Sequence, residues 1–331
     1  MSDSFIILFL LLAEDACMLQ KAFISDIDAE IITLNQAIRD HFAWANRLIE
    51  FCLCDEVIDS SYTDKQAHHF CAFGYWLRLQ LSNAQDNESM MRAIEATHEI
   101  MHDAMRNLIN AINEQQNIRE NLNNFFHAQM HFLQATDDYK TSLISLRNCY
   151  DSLTGLPLRQ LLYKDFARLT HFRQRNNGTI YLSLIDIDKF KSINDTWGHN
   201  VGDMILKELG QLVSASIRNS DRAYRFGGEE FILLQECQNY QDYRLAIGRI
   251  IHLIRTHTFI IPDGAINITV TCGTATIIEN EPLQVIIDRA DKAMYFGKQN
   301  GRDQCLLWTE NKMINIEKRT VDNSAVDNNV A

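Results

Sequence analysis

At Asp151 the hydrophobic pattern of this chain changes period, and the change divides what it can fold into. From Ala22 to Tyr150 the pattern repeats at steps of three and four. Ile27, Ile31, Leu34, Ile38, His41 and Ala45 form one stripe, and Ile94, His98, Met101, Met105, Leu108 and Ile112 a second. Leu122, Phe125, Phe132, Tyr139, Leu143 and Leu146 form a third. Residues so spaced share one face of an α-helix, and such faces must be buried against each other. With a shorter helix near Phe70 to Leu81, the pattern predicts a four-helix bundle.

In the segment DSLTGLPLR, Asp151 to Arg159, Gly155 and Pro157 together stop a helix and make a turn. Beyond it short strand-like and helix-like runs alternate. Ile180–Ile187 reads as a strand, Gly202–Ile217 as a helix, and Arg222–Phe226 with Phe231–Gln235 as a hairpin. Tyr243–Arg255 reads as a helix, Ile266–Ile277 as one or two strands and Leu283–Lys298 as a helix. This order predicts α+β layers, a sheet with helices packed on it. Four segments follow: an extension at 1–21, either disordered or a misassigned start; a helical domain at 22–150; an α+β domain at 151–308; and a polar, disordered tail at 309–331. No internal repeat is visible.

A length of 331 residues accommodates two domains, and a hydrophobic fraction of 46% supports folded cores. The net charge of -12 argues against binding a nucleic-acid polymer, which needs a dominant basic face. Cys17, Cys52, Cys54, Cys71, Cys149, Cys237, Cys272 and Cys305 are scattered rather than set in a dense framework, which favours a reducing, cytoplasmic setting. Phe5 to Ala13 is the only membrane-like run and falls well short of the ~20 apolar residues a spanning helix needs.

Between the two runs of the hairpin stand Gly227, Gly228, Glu229, Glu230 and Phe231, the word GGEEF. Adjacent glycines can take the positive φ angles of a tight hairpin, which would lift the following carboxylates to an exposed tip. Asp186 falls near the end of the strand-like run at Ile180–Ile187, where a carboxylate can enter a cleft. Mg2+ takes oxygen ligands and shares them with substrate phosphates, and Asp186 and Glu229 are suited to supply two. A lone surface carboxylate is ordinarily only a solvated charge; several in order carry the reading.

The word GGEEF, the opening DSLTGLPLR and the run IDIDKFKSIND, Ile185 to Asp195, resemble the signatures of GGDEF-family diguanylate cyclases, over about Tyr150 to Trp308. The resemblance implies a palm-like nucleotide-cyclase sheet and the joining of two GTP molecules into cyclic di-GMP with release of pyrophosphate. It also implies Mg2+ held by Asp186, the carbonyl of Ile187 and Glu229, with Glu230 as a further ligand or proton acceptor. Asn194 and Asp203 match the guanine-binding positions, a carboxylate and an amide being able to read a guanine edge. The turn from Asp188 to Lys191 offers backbone N–H groups to the triphosphate, and Lys298 and Arg302 in GKQNGR match a phosphate-binding basic pair. Because each 3′-hydroxyl attacks the α-phosphate of the other nucleotide, two such domains must face each other as a homodimer. Arg218 and Asp221, an RxxD word five residues before Gly227, resemble the family's product-inhibition site, with Arg249 as a weaker contributor. Ser152, where the opening often has proline, and Lys189, where the turn often has an aromatic or His, depart from the pattern.

In the helical half, His98 and His102 are spaced i, i+4 and share a helix face. With His41 and Cys71 they make three His and one Cys, a complete tetrahedral zinc set. These residues, in the words CxFGxW and HxxxH, resemble the chemoreceptor zinc-binding (CZB) domain over about Ile24 to Leu146, which implies regulation by Zn2+. Buried core histidines are the plain alternative. His127 and His131 lie off the stripe and read as surface, and Cys52 and Cys54 lack partners at a metal-binding spacing. Two other functions compete with the zinc-controlled cyclase: a catalytically inactive cyclic di-GMP receptor, and a zinc-binding interaction scaffold.

Overall fold

A computed structural model of the chain describes residues 24–47, 50, 60–83, 87–173, 178–278, 280–310 and 312–317. The expectations for residues 1–21, for Cys17, Cys52 and Cys54, and for residues 318–331 concern positions outside that set. The described residues form two compact units, Ser25–Asn148 and a second beginning at Cys149. The boundary lies two residues before the expected one because Cys149 and Tyr150 already pair with the turn that follows. Leu158 N–H donates to Cys149 O at 2.7 Å, and Tyr150 bridges Pro157.

The first unit is built from helices α1 (24–47), α2 (Ala67–Phe70), α3 (Ala72–Asn83), α4 (Glu88–Asn113) and α5 (Ile118–Arg147). The four longer helices supply the bundle that the stripes predict. Leu34 of α1, Phe73 of α3, Ile94 and Met105 of α4 and Phe132 of α5 are wholly buried in one core. Two details differ. Leu122 is exposed although it lies on the third stripe. The short helix begins at Ala72 rather than near Phe70, because Cys71 has extended backbone (φ -70, ψ 155) and splits α2 from α3. Gly74 permits that tight junction: a Cβ there would lie 1.8 Å from His68 O.

In the second unit α6 (Arg159–Arg173) leads into β1 (Thr179–Ile187), α7 (Phe190–Trp197) and α8 (His199–Ser216). The hairpin β2 (Arg222–Arg225) and β3 (Glu230–Cys237) precedes α9 (Tyr240–Thr256) and the small ribbon β4 (Phe259–Ile261) and β5 (Gly264–Ile266). β6 (Val270–Thr276), α10 (Leu283–Gln299), β7 (Cys305–Trp308) and β8 (Met313–Asn315) complete it. Six strands form one sheet in the order β2-β3-β1-β6-β7-β8, antiparallel except for β6 with β7.

Both faces of the sheet are covered, so β1 is a continuous buried run rather than an alternating one. Its period of two still sorts the side chains. Tyr181 and Ile185 pack with α8 and α9, whereas Ile180, Leu182 and Leu184 pack with Ile286, Ile287, Ala290 and Met294 of α10.

Within the tail expected to be disordered from 309 onward, residues 312–317 are ordered. β8 pairs antiparallel with β7, and Ile314 and Ile316 are buried. Its apolar run, Met313, Ile314 and Ile316, is too short to register as a strand against polar neighbours.

Candidate functional site

Strand alternation carries the even-numbered face of β1 onward to Asp186, which is 5% exposed at the strand's end. In the antiparallel register Asp186 stands opposite Glu230 of β3, and side chains so paired have Cβ atoms about 5 Å apart on one face. The same face meets the C-terminal turn of α10, where Lys298 Nζ lies 2.8 Å from Asp186 Oδ2.

Burial raises the pKa of Asp186, against the opposing pull of Lys298; the charges of Asp188 and Asp291 raise it further. Burial also raises Glu229 and Glu230, and for both the Asp186 charge is the next contribution. Asp186, Glu229 and Glu230 thus crowd around one lysine. This excess of hard oxygen donors fits a divalent cation such as Mg2+.

The turn that presents Glu229 and Glu230 works differently from the expected one. Neither Gly227 nor Gly228 has positive φ. Gly227 leaves room for the end of the Glu230 side chain, since a Cβ there would lie 2.5 Å from Glu230 Oε2, whereas one at Gly228 would touch nothing within 4 Å. The turn is closed by Phe226 N–H donating to Glu230 O at 2.8 Å. Arg225 braces it, donating to Gly228 O at 2.8 Å and to Asp151 Oδ2 at 2.7 Å. Burial works against the Asp151 carboxylate, but hydrogen bonds from Thr154 and Arg225 outweigh it and hold the pKa below its usual value. The opening DSLTGLPLR therefore has a structural task beside the GGEEF turn.

Asn194 on α7 meets Gly202 of α8, the residue before Asp203, across a close junction. A Cβ on Gly202 would lie 1.9 Å from Asn194 Oδ1, and that oxygen is buried with no hydrogen-bond partner among the described residues. The Asn194 amide oxygen is thus turned into the α7–α8 junction, while Asp203, next to Gly202, is exposed. Lys191 and Arg302 are exposed. A cavity of about 460 Å3 is lined by Asp188, Lys189, Trp197, Asn267 and Arg302, among others. From the sequence Asp188 is only the start of the phosphate-binding turn, its carboxylate given no role, and Asp291 is missed; Asp291 lies seven residues before Lys298, hence on the same face of α10.

Arg218 and Arg249 line one cavity of about 230 Å3 with Asp242. Asp221 is 5% exposed, and its carboxylate accepts from Arg218 N–H at 3.2 Å and from Gln235 Nε2 at 3.4 Å. It holds the turn rather than lining that cavity.

In the first unit His41, Cys71, His98 and His102 are all buried, with one ligand atom from each lying within 4.8 Å of the others. His98 Nε2 is 3.2 Å from His102 Nε2 and 3.3 Å from Cys71 Sγ. Ligand atoms of a tetrahedral zinc site stand about 3.4 Å apart, given metal bonds of about 2.0–2.3 Å. Both ring nitrogens of His41 lack a hydrogen-bond partner among the described residues. Burial lowers His41 to about 4 and His102 to about 3, and lowers His98 strongly, so all three are neutral donors at neutral pH. The cluster fits zinc. His127 and His131 are exposed, as the sequence implies.

Among the described residues no helix is long and apolar enough to cross a membrane. Residues 148–304 match the family model described as "Diguanylate cyclase, GGDEF domain". Diguanylate cyclase DgcZ of Escherichia coli (strain K12) is 35% identical over 291 residues, 88% of this chain and 98% of that one. Diguanylate cyclase DgcS of Shewanella oneidensis is 33% identical over 160 residues, 48% of this chain and 53% of that one. The crystal structure of the GGDEF domain of DgcB from Caulobacter crescentus in complex with c-di-GMP aligns with a TM-score of 0.45 at 27% identity, covering 48% of this chain and 95% of that one. With a relative matched over almost its whole length and a domain model spanning the GGEEF site, the chain belongs to the GGDEF family of diguanylate cyclases.

Proposed function

We propose that the protein condenses two GTP molecules into cyclic di-GMP and two pyrophosphates, with Zn2+ and the product as its regulators. The observation that carries the reaction is the register pair Asp186 and Glu230, with Glu229 beside them and Lys298 2.8 Å from Asp186. Asp186, the carbonyl of Ile187 and Glu229 would hold Mg2+. When bound, Mg2+ polarises the α-phosphate and makes the attacking 3′-hydroxyl more acidic. Glu230, whose pKa is raised chiefly by burial and then by Asp186, is suited to complete the ligand set or to accept the hydroxyl proton. Lys191, Lys298 and Arg302 bind the triphosphate, and Asn194 and Asp203 read the guanine. Each protomer holds one GTP, so the homodimer is the catalytic unit.

Arg218 and Arg249, facing one cavity, are the residues for cyclic di-GMP in product inhibition; Asp221 contributes by fixing the turn that carries Arg218. His41, Cys71, His98 and His102 would hold Zn2+, tying α1, α4 and the α2–α3 junction together and, through the helix that ends near Tyr150, holding the two catalytic domains out of productive register. Inhibition is the sign proposed, and the cytoplasm, where GTP is abundant, the setting.

Incubation of the purified chain with GTP and Mg2+, with the product identified by mass spectrometry, tests the reading. Cyclic di-GMP should form, and Glu229→Gln should lower turnover by roughly a thousandfold or more, as loss of a metal ligand in the reacting centre does. An inactive receptor would bind cyclic di-GMP and make none, and a zinc scaffold would do neither.

A further inference from the structure

Asp188 lies two residues beyond Asp186, where β1 has ended, and is 8% exposed. Its Oδ1 accepts a hydrogen bond from Thr271 Oγ1 at 2.6 Å. Its Oδ2 accepts from Thr269 Oγ1 at 2.7 Å and from the backbone N–H of Asp303 at 3.0 Å. Its own N–H donates to Thr269 O at 2.9 Å. The carboxylate is therefore anchored to the β6 side of the sheet and, from there, grips a distant turn.

That turn is strained. Gly301, Arg302 and Asp303 have successive φ values of 109, 62 and 47, and left-handed backbone is costly for residues with a Cβ. Such a conformation persists only where the surroundings over-determine it. Here Arg302 N–H donates to Gly297 O at 3.0 Å, Asp303 N–H to Asp188, and the Asp303 carboxylate accepts from Arg255 Nε at 2.8 Å. Arg255 is held in turn by Glu317 at 2.9 Å. What the turn presents is the exposed side chain of Arg302, on the rim of the cavity that Asp188 and Lys189 also line.

We infer that Asp188 is a positioning residue, which fixes the direction of Arg302 and so couples the strand end carrying Asp186 to the phosphate-binding turn. The inference rests on the reading of Arg302 as a ligand of the GTP phosphates. Only a carboxylate can accept all three bonds, two from hydroxyls and one from the Asp303 N–H. Asparagine keeps one acceptor oxygen and turns the other position into a donor, so at least one of the three bonds is lost or must reverse at a threonine hydroxyl.

The test is a double-mutant cycle on the full chain with Asp188→Asn, Arg302→Ala and the pair. It is read by calorimetric binding of a non-reactive α,β-methylene analogue of GTP with Mg2+, and by KM and kcat from initial pyrophosphate release. Each single variant should weaken analogue binding and raise KM by about tenfold, with kcat within about threefold, the loss of one charge-assisted contact. The pair should bind no more than about twofold worse than Arg302→Ala alone, because Asp188 acts through Arg302.

Multiplying losses in the pair, or a fall in kcat at unchanged KM, would overturn the inference. Wild-type binding by Arg302→Ala would remove the phosphate role of Arg302 and this inference with it, while continued turnover would leave the cyclase reading standing. Conversely, a non-additive binding cycle in a protein without turnover would keep the inference and remove the activity. If Asp188→Asn does not fold, Thr269→Val, which deletes one donor to the carboxylate, should weaken analogue binding by about threefold; unchanged binding in Thr269→Val counts against the proposal.

Discussion

Within the word GGEEF the two glycines have different tasks. Gly227 leaves room for the Glu230 carboxylate, since an added Cβ would come within 2.5 Å of Oε2, whereas Gly228 faces open space and has no positive φ to preserve. Gly227→Ala should therefore displace the end of a flexible side chain without unfolding the hairpin. Turnover should fall by about tenfold or more, since misplacing a catalytic group by about 1 Å has effects of that order, while the melting temperature hardly moves. Gly228→Ala should lose far less activity. Equal losses in the two variants would remove the spatial explanation. That Asp186, Glu229 and Glu230 come together is legible in the sequence because their order and the strand end are. The purpose of the glycines is not, because the same dipeptide serves a dihedral need or a steric one, and only coordinates separate them. The task of the Asp188 carboxylate is hidden for a similar reason: its partners Thr269, Thr271 and Asp303 are far away in sequence.

Elements that carry one residue type at a fixed period were read well, and their junctions were not. The stripes of α4 and α5 and the apolar run of β1 follow from local periodicity. By contrast, the break at Cys71 is set by a close approach of Gly74 to His68 O, a tertiary fact. The α7–α8 junction is the functional case of the same kind. Gly202 lets Asn194 Oδ1 sit against α8, which fixes the orientation of the amide proposed to meet guanine. Gly202→Ala should force the amide of Asn194 to rotate away while both helices persist. The expected result is a rise of about tenfold or more in KM for GTP, the cost of losing a hydrogen bond to the base, with little change in melting temperature. Asn194→Ala should match it, and a normal KM in either variant would take Asn194 out of the guanine site.

At the scale of the whole chain, the division into a helical unit and an α+β unit was legible because the period changes at one place. The end of the second unit was not, because Met313, Ile314 and Ile316 form too short an apolar run to stand out. Ending the chain at Thr309 removes two buried isoleucines and the partners that Ile316 O and Glu317 give to Arg244 and Arg255. Burial alone puts that loss at about 3–6 kcal/mol as an upper estimate, and a thermal melt of the truncated chain should fall by about 10 °C or more. The zinc proposal joins both units and is tested on both. A neutral, buried His41 with no partner costs nothing in charge but leaves hydrogen-bonding groups unsatisfied, and a bound cation would take up the ring-nitrogen lone pair that the fold leaves without a partner. Zinc at 100 times its Kd stabilises a protein by about 2.7 kcal/mol, so stripping it with a zinc-selective chelator should lower the melting transition of the helical unit by several degrees. Turnover should rise at the same time if the metal restrains the cyclase. Buffered zinc should reverse both effects, and His98→Ala should make both insensitive to zinc. A melt that responds without a change in turnover would leave a structural zinc and no switch, and a protein whose melt and turnover both ignore chelator and zinc would reduce the cluster to a histidine-rich core.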